Sequence, residues 1–435
     1  MLSIIKRRLR PLRSMLAVLS LLRSWRRQVA ALDAATPAPH RGGLQRVVIF
    51  PPDPEALLGS KGDEALIVSL LASLRRIDAA LEICIVTQSE QASADAGRLG
   101  CRPLMVWRER GPLQRSAAAL AGADGVVVVG ADIMDGYYSP VSALQRWLLL
   151  DLAARQGKRS VVIGCSFNGR PSPYLARALH CLDHRVAVNL RDPLSFARFQ
   201  PFSGAASRLV ADIAFLLPPD NDSAAVAEVR GWVESQQLRQ QSVLGFNIHY
   251  LLYQDCSEPQ MAALVATAAE ALARLLESHT VSVLLIPHDY RGSLSDAACL
   301  SRIFDALEES FARRVYFRAE PMTAAELKAV AGCTDLMVTG RMHLAIAALG
   351  QGKPVGALTY QDKFHGLFKL FGLPDWLLLD PAALQGDRLY LMMERLLRER
   401  HALAAEVQRE LPGVIELSRR NMLDLLPADR LQAAP

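Results

Sequence analysis

Arg341 and His343 stand two residues apart in the stretch "VTGRMHLAIAALG", residues 338–350, between two apolar runs. Arginine offers a planar pair of donors that suits phosphate or carboxylate, and histidine can donate a proton near neutral pH. Side chains two apart on a regular helix point to different sides, so these two can share a ligand only before the first full turn. Gly340 permits a sharp turn from strand to helix, and helix formers follow from Leu344. The pattern predicts an anion site at a helix start, with a capping arginine and a structural histidine as the alternative.

Polar residues also follow several other apolar runs. Arg191 in "NLRDPLS" and His288 in "IPHDY" are further groups that could hold an anion. The glycine-rich "GSKGDEA" carries Asp63 and Glu64, either of which could simply cap the helix that follows. Asp192, beside Arg191, could equally be its structural partner.

The elements that must position these residues alternate between strand and helix. "QRVVIF", "LEICIVT" and "GVVVVG" are short β-rich runs, and "EALIVSLLASLRRI" has helical spacing. After "LLPPDND" the alternation restarts with "SVLGFNIH" and "VSVLLIPHD". This pattern predicts an α/β protein with two Rossmann-like parallel-sheet domains facing a cleft. Ligands of such sheets bind beyond the carboxyl ends of the strands.

Length and composition agree with two folded domains. The chain has 435 residues, of which 51% are hydrophobic and 21% charged, so it can bury large cores. We predict five segments: a basic N-terminal segment 1–42, an α/β domain 43–218, a linker 219–242, a second α/β domain 243–382, and C-terminal helices 383–435. The last segment is expected to form a pair of helices broken at Pro412 and to fold back on the first domain.

The net charge of +5 is concentrated at the start, where eight basic residues precede the first acid, Asp33. The apolar run "SMLAVLSLL" between them is too short to span a bilayer. This segment could lie on an anionic membrane surface, or it could be a basic tail or a helix docked on the body. Elsewhere no basic stripe is interleaved with aromatic residues, which argues against a nucleic-acid partner.

The seven cysteines form neither a CxxC pair nor a close cysteine–histidine spacing. The sequence therefore predicts no disulfide framework and no metal site, and it fits a reducing cytoplasm.

Eight short segments, taken in order, resemble the polysaccharide pyruvyl transferase family. They are "GSKGDEA", "VVVVGADIMD", "GCSFNGRPS", "RDPLS", "ADIAF", "IPHDY", "GRMHLAIAALGQGKPVGALTY" and "YQDKFHGL". The resemblance runs from about residue 45 to 372 and leaves out both termini. Two segments depart from the family pattern: Gly-Ala replaces the usual Gly-Gly, and "FNGRPS" replaces a Gly-Pro turn.

The resemblance implies a fold similar to the GT-B architecture of nucleotide-sugar glycosyltransferases. It also implies phosphoenolpyruvate as donor and a glycan, often a lipid-linked oligosaccharide, as acceptor. The first α/β domain would be the acceptor side and the second the donor side. Arg191, Arg341 and His343 would bind the donor, together with the Met342 backbone N–H and Lys363 of "YQDKF". The enzyme would work in the cytoplasm, at the inner face of the cell membrane if the basic segment binds there.

Ketal formation requires a general acid for the methylene carbon of phosphoenolpyruvate and a general base for the sugar hydroxyls. His343 is the predicted acid, and His288 is the second choice. The base is predicted among Asp63, Glu64 and Asp192. No metal or cofactor is expected beyond the co-substrate phosphoenolpyruvate.

Two other functions remain open. A nucleotide-sugar-dependent glycosyltransferase could use the same basic residues for a diphosphate, with Asp289 or Asp362 on the ribose. A non-catalytic scaffold could bind acidic polysaccharide at the membrane, but it would need no proton donor beside its arginines.

Overall fold

The computed structural model of the chain describes residues 2–33, 43–107, 113–252, 257–292, 295–359, 362–380 and 387–426, with the side chains of the first helix from Ser14 onward. The predictions for residues 34–42 and 427–435 lie outside these ranges. The chain folds as two compact units. Unit 1 comprises residues 1–58, 70–213 and 417–435, and unit 2 comprises residues 59–69 and 214–416.

Unit 1 is built on a seven-stranded sheet with strand order 3-2-1-4-5-6-7, in which every pairing is parallel. Its strands are β1 Arg46–Phe50, β2 Glu82–Val86, β3 Arg102–Leu104, β4 Gly125–Val129, β5 Arg159–Cys165, β6 Val186–Leu190 and β7 Ala206–Leu209. Its helices are α1 Leu2–Asp33, α2 Lys61–Ile77, α3 Glu90–Arg98, α4 Leu113–Ala117, α5 Pro140–Arg155, α6 Ala176–His180 and α7 Pro193–Phe199, and α2 is shared with unit 2. The order reverses between β1 and β4, which marks a topological switch point.

Unit 2 repeats this design with six parallel strands in the order 10-9-8-11-12-13. The strands are β8 Ser242–Asn247, β9 Val281–Leu285, β10 Val315–Phe317, β11 Leu336–Thr339, β12 Val355–Leu358 and β13 Leu378–Leu379. The helices are α8 Ala224–Gln237, α9 Glu258–Ser278, α10 Asp296–Phe311, α11 Ala324–Cys333, α12 Met342–Leu349, α13 Lys363–Leu370 and α14 Arg388–Arg419. The switch point lies between β8 and β11. The predicted α/β class with two parallel sheets is confirmed.

The central strands of both sheets form because their sequences are runs of buried, mostly apolar residues, whereas β3 and β7 at the edges of the first sheet contain no buried residue. All five residues of β4, "GVVVV", are buried, as expected for a strand covered by helices on both faces. Helix α5 buries Trp147 completely, and the indole Nε1 donates to the Met134 carbonyl oxygen at 2.9 Å. The same ring stacks on Phe199 with centroids 5.9 Å apart. These contacts fix the loops that follow the strands.

Helix α1 packs against α5 in unit 1. Val18, Leu21 and Trp25 are buried in the unit 1 core, and Trp25 Nε1 donates to Asp151 at 2.7 Å. This part of α1 is therefore docked on unit 1, which is one of the alternatives predicted from the sequence. Within the described residues, no helix has the length and apolar character needed to cross a membrane.

Two boundaries differ from the sequence prediction. The expected linker 219–242 contains α8, which begins after Ser223, whose side chain accepts from the Ala225 N–H. The prolines before it suggested a linker, but buried Val226, Val229 and Val233 give α8 a packed face. Residues 59–69, expected in the first domain, group with unit 2.

The C-terminal pair of helices is instead one helix, α14, which continues through Pro412. A proline removes one backbone donor and strains one turn, at a cost of about 3 kcal/mol, and packing of a long helix can offset that cost. The residues after it belong to unit 1: the Asn421 side chain accepts from the Gly164 N–H at 2.9 Å and donates to the Ala211 carbonyl oxygen at 2.8 Å.

Candidate functional site

Three basic side chains of unit 2, two of them predicted from the sequence, gather at the carboxyl edge of its sheet, around the switch point. His249 follows β8, His288 follows β9, and Arg341 follows β11. Parallel strands deliver their carboxyl ends to the same edge, so these three side chains come from three adjacent strands. This edge is where α/β sheets bind ligands.

Arg341 is the N-cap residue of α12 and has an extended backbone with φ −99° and ψ 116°. Its N–H donates to Thr339 Oγ1 at 2.9 Å. Helix α12 therefore begins at Met342, and no side chain caps it with a hydrogen bond. Arg341 and His343 thus flank the first turn, the conformation that lets residues two apart address one ligand.

Asp296 orients the Arg341 guanidinium. Arg341 Nε lies 3.1 and 3.0 Å from the two carboxylate oxygens, and Nη2 lies 2.6 Å from Oδ1. The Asp296 side chain is fully buried, and its Oδ2 also accepts from Asn247 Nδ2 at 2.9 Å and from the His288 N–H at 3.2 Å. This fork holds one edge of the guanidinium in a fixed plane.

Asp296 belongs to the candidate site, although it was not among the residues predicted from the sequence. As the first residue of α10 after the N-cap Ser295, it looks like an ordinary acid of a first helical turn. Its partner lies 45 residues away along the chain, a pairing that local pattern does not indicate.

His343 lies directly against Gly62 of the "GSKGDEA" turn. A Cβ atom on Gly62 would lie 2.4 Å from His343 Nδ1 and 3.1 Å from Cε1, so only glycine fits without moving the ring. Two motifs separated by about 280 residues therefore meet inside unit 2. The His343 side chain is half-buried.

The two acids after Gly62 have different surroundings. Glu64 is buried: its Oε1 accepts from the Ala324 N–H at 3.0 Å at the start of α11, and its Oε2 pairs with Lys61 Nζ at 2.8 Å. Glu64 therefore caps α11, and not the helix that follows its own motif, which was the alternative left open by the sequence. Asp63 is half-buried in the first turn of α2, beside the glycine that touches His343.

The histidines on the neighbouring strands are held neutral. Burial, followed by the nearby positive charge of Arg341, lowers the pKa of His288 to about 3. The same two causes lower the pKa of His249 well below its ordinary value. His249 Nε2 lies 2.9 Å from the Gly340 carbonyl oxygen, and because a carbonyl only accepts, this nitrogen carries the proton. Neither ring can serve as an imidazolium acid near neutral pH.

His249 was also missed, although the "NIH" that ends β8 carried the same signal as "IPH" after β9. It shapes the turn before Arg341, because a Cβ on Gly340 would lie 2.8 Å from His249 Cδ2. Lys363, the half-buried first residue of α13, adds its charge to the causes that lower the His249 pKa. Lys363 therefore belongs to the same electrostatic environment.

Arg191 and Asp192 lie in unit 1, at the carboxyl end of β6. Arg191 is 2% exposed, with Nη1 2.9 Å from Asp212 Oδ2 and Nε donating to Ser166 Oγ at 2.7 Å. Asp192 caps α7: its Oδ1 accepts from the Ser195 N–H at 2.8 Å and its Oδ2 from Ser195 Oγ at 2.6 Å. Both carboxylate oxygens of Asp192 are engaged and buried, but the ion-pair partner of Arg191 is Asp212, so Asp192 is a helix cap and not the partner of Arg191 that the alternative described.

In the part of the chain that the structure describes, no group of three or more histidine, cysteine, aspartate or glutamate side chains is placed to hold a metal ion.

Comparison with known proteins gives a family and a fold. The family model described as polysaccharide pyruvyl transferase matches residues 61–362. No curated protein sequence gave a significant match.

Several solved structures are similar in fold at low sequence identity. A UDP-N-acetylglucosamine 2-epimerase has TM-score 0.56 and 14% identity, covering 88% of this chain and 95% of that one. A UDP-GlcNAc 2-epimerase from Neisseria meningitidis bound to UDP-GlcNAc has TM-score 0.55 and 12% identity, covering 88% and 99%. A ugt transferase from Siraitia grosvenorii in complex with UDP has TM-score 0.54 and 11% identity, covering 88% and 100%. These likenesses confirm the predicted GT-B-like fold.

Proposed function

Because the chain belongs to the polysaccharide pyruvyl transferase family, we propose that it transfers the pyruvyl group of phosphoenolpyruvate to two hydroxyls of one sugar, forming a pyruvate ketal. Membership of this family supports the general function, a transferase that modifies polysaccharide. The donor and the ketal are our proposal. The observation that supports them best is the pair Arg341 and His343 at the start of α12, with Gly62 against the histidine.

Most of the proposed donor ligands lie in unit 2. Phosphoenolpyruvate carries a phosphate and a carboxylate on three carbons, so it needs fixed donors spaced closely. Arg341, held in plane by Asp296, would bind one anionic group, and the Met342 N–H at the start of α12 would donate to the same ligand. Lys363 adds a second positive charge to this environment.

His343 is assigned as the general acid. It would protonate the methylene carbon, the sugar oxygen would attack the adjacent carbon, and phosphate would leave before the second hydroxyl closes the ketal. His288 is a poor acid because its pKa of about 3 keeps it neutral. Asp63 is the preferred base, because it is half-buried in the first turn of α2, directly after the glycine that touches His343.

Arg191 stays a predicted donor ligand. Its Nε and Nη1 already bind Ser166 and Asp212, so replacing it should cost stability as well as phosphoenolpyruvate affinity.

Peripheral binding to an anionic membrane surface, the inner face of a cell membrane, is also part of the proposal. Helix α1 presents Met15, Leu16 and Leu19, which are 39%, 57% and 40% exposed, in a segment rich in arginine. Apolar side chains of such a helix can enter the headgroup boundary while basic groups bind anionic lipid. Leu16→Glu with Leu19→Glu should abolish flotation with phosphatidylserine vesicles, and the exposed control Leu238→Glu should not. Equal flotation of the native chain, the double variant and the control variant would contradict a membrane role for α1.

A nucleotide-sugar glycosyltransferase is the second candidate, because similar folds have been solved with UDP. The Asp289 carboxylate that was expected on the ribose is bound by Arg291 Nε and Nη2 at 3.0 and 2.8 Å. This pairing makes a ribose contact less favourable. Incubation with phosphoenolpyruvate or a nucleotide sugar, each with a panel of glycan acceptors, distinguishes the two functions. Phosphate release with a ketal product supports pyruvyl transfer, and consumption of the nucleotide sugar alone overturns that proposal.

Two substitutions separate binding from chemistry at the site. His343→Gln keeps a hydrogen-bonding side chain but no titratable proton, so kcat should fall by roughly 10² to 10⁴ with a smaller change in the KM for phosphoenolpyruvate. Arg341→Lys keeps the charge but loses the planar fork, so it should raise KM more than it lowers kcat. The exposed residues His401 and Arg313 give matched controls, His401→Gln and Arg313→Lys, which should leave both constants unchanged. A raised KM with normal kcat in His343→Gln would make His343 an anion ligand only.

A further inference from the structure

Unit 1 has its own cavity at the switch point of its sheet. The cavity has a volume of about 230 Å³ and is formed by residues that follow β1, β2, β3 and β4, together with the first half of α5. Its lining residues are Pro52, Asp53, Pro54, Glu55, Gln88, Trp107, Ile133, Tyr138, Ser139, Ser142 and Arg146. In open α/β sheets this is the position at which ligands bind, and the site around Arg341 does not account for it.

The floor of the cavity is fixed by Arg146. Its side chain is 2% exposed, and Nη2 donates to the carbonyl oxygens of Pro51 and Pro52 at 3.0 and 2.9 Å. The guanidinium carbon also lies 4.6 Å from the centre of the Trp107 ring. The loop after β1 and the indole are therefore held in place before any ligand arrives.

The rim offers hydrogen-bond acceptors and an aromatic ring. Asp53 Oδ1 accepts from the N–H groups of Glu55 and Ala56 at 2.9 and 3.3 Å, which leaves Oδ2 for a ligand. Within the described residues, the Glu55 carboxylate and the Gln88 amide have no intramolecular partner. Tyr138 is 50% exposed, and its hydroxyl donates to Asp132 at 3.2 Å, which orients the ring.

This chemistry suits a neutral sugar ring. Sugar hydroxyls donate to carboxylates and exchange hydrogen bonds with an amide, while the C–H face of a pyranose packs on an aromatic ring. Two carboxylates repel a phosphate or a carboxylate ligand, and the Arg146 cation in the lining is committed to backbone carbonyls. The volume is below the roughly 300–1,000 Å³ of sites for drug-sized ligands, so a single ring fits it.

We propose that this cavity binds one neutral pyranose ring of the acceptor glycan, with Asp53, Glu55 and Gln88 on its hydroxyls and Tyr138 on its face. The identification of the ring as acceptor rests on the proposed pyruvyl transfer. Sugar binding itself does not, because every contact lies within unit 1.

The test is saturation-transfer NMR on the full chain, without phosphoenolpyruvate, using methyl pyranosides of glucose, galactose, mannose and their N-acetylated 2-amino analogues. We expect saturable binding of at least one of them. Tyr138→Ala and Glu55→Gln should each weaken it by about tenfold, and inorganic phosphate should not compete. The exposed tyrosine Tyr174 does not line the cavity, so Tyr174→Ala is the matched control and should bind normally.

The outcomes separate this proposal from the proposed activity. No saturable binding by any of the sugars, or equal binding by Tyr138→Ala, Glu55→Gln and the native chain, overturns the cavity assignment. If the ketal forms from phosphoenolpyruvate while both variants keep the native acceptor KM, the activity stands and the cavity assignment fails. If no pyruvyl transfer occurs but sugar binding is lost in both variants, the cavity assignment stands without that activity.

Discussion

Gly62→Ala adds one methyl group at the point where the "GSKGDEA" turn touches His343. The new Cβ would lie 2.4 Å from His343 Nδ1, whereas ordinary contacts begin near 3.4 Å, so the ring must retreat by about 1 Å. A displacement of that size at a reacting group can cost roughly 10²-fold in rate. We expect kcat for phosphate release to fall by about that factor.

The fold should survive this change. Gly62 lies in the first turn of α2 and its φ is not in the left-handed region, so alanine fits the backbone. Alanine in a helix gains about 0.5–1 kcal/mol over glycine, and the crowded contact costs about 1–3 kcal/mol. The expected net effect on the free energy of unfolding is a loss of no more than about 2.5 kcal/mol, measured by urea denaturation.

The chain offers a matched control. Gly231 lies inside α8, in the same unit, and a Cβ there would meet nothing within 4 Å. Gly231→Ala should therefore raise stability by about 0.5–1 kcal/mol and leave kcat unchanged. Native turnover in Gly62→Ala, with a correctly folded protein, would refute the assignment of His343 to the chemistry.

Three further predictions concern stability. Asp296→Asn removes the buried charge that pairs with Arg341, so it should lower the free energy of unfolding in urea by about 3 kcal/mol. Asp305 is exposed, so the control Asp305→Asn should leave that free energy almost unchanged. Equal effects of the two substitutions would contradict the buried pairing. Because the folded pKa of His288 is about 3 and lies below the unfolded value, the unfolded chain binds the extra proton between pH 6.5 and 3. Stability should thus fall on acidification by up to about 1.4 kcal/mol per pH unit, and His288→Gln should flatten that slope; an unchanged slope would be inconsistent with a buried neutral ring. Trp25→Phe removes the hydrogen bond to buried Asp151 and should lower stability by about 1–3 kcal/mol, whereas native stability would mean that α1 contributes no buried polar contact.

The sequence was informative where function depends on local order along the chain. Strand, turn and helix alternate in the printed sequence, so both sheets and the position of Arg341 after a strand could be predicted. Met342 likewise falls at the helix start that its motif indicated.

Contacts between distant segments could not be predicted in this way. Nothing near Asp296 indicates that it faces Arg341, and nothing near Glu64 indicates that it caps α11. Burial also depends on distant residues. The motif "RDPLS" does not indicate whether Arg191 is exposed to a ligand or buried in an ion pair with Asp212. The α8 segment was misassigned because the prolines before it were weighted above the spacing of its buried valines.

The attachment of Asn421 to unit 1 has a consequence for synthesis on the ribosome. The Asn421 side chain binds the Gly164 N–H and the Ala211 carbonyl oxygen. The backbone carbonyl oxygen of Asn421 accepts a hydrogen bond from Asn189 Nδ2. Residue 213 ends the long central segment of unit 1, and about 200 more residues must be translated before Asn421 exists. At roughly 5–20 residues per second, that interval lasts on the order of 10–40 s. During it the nascent sheet keeps the Gly164 N–H and the Ala211 carbonyl without their final partner, so chaperones that bind incomplete sheets have a defined period in which to act.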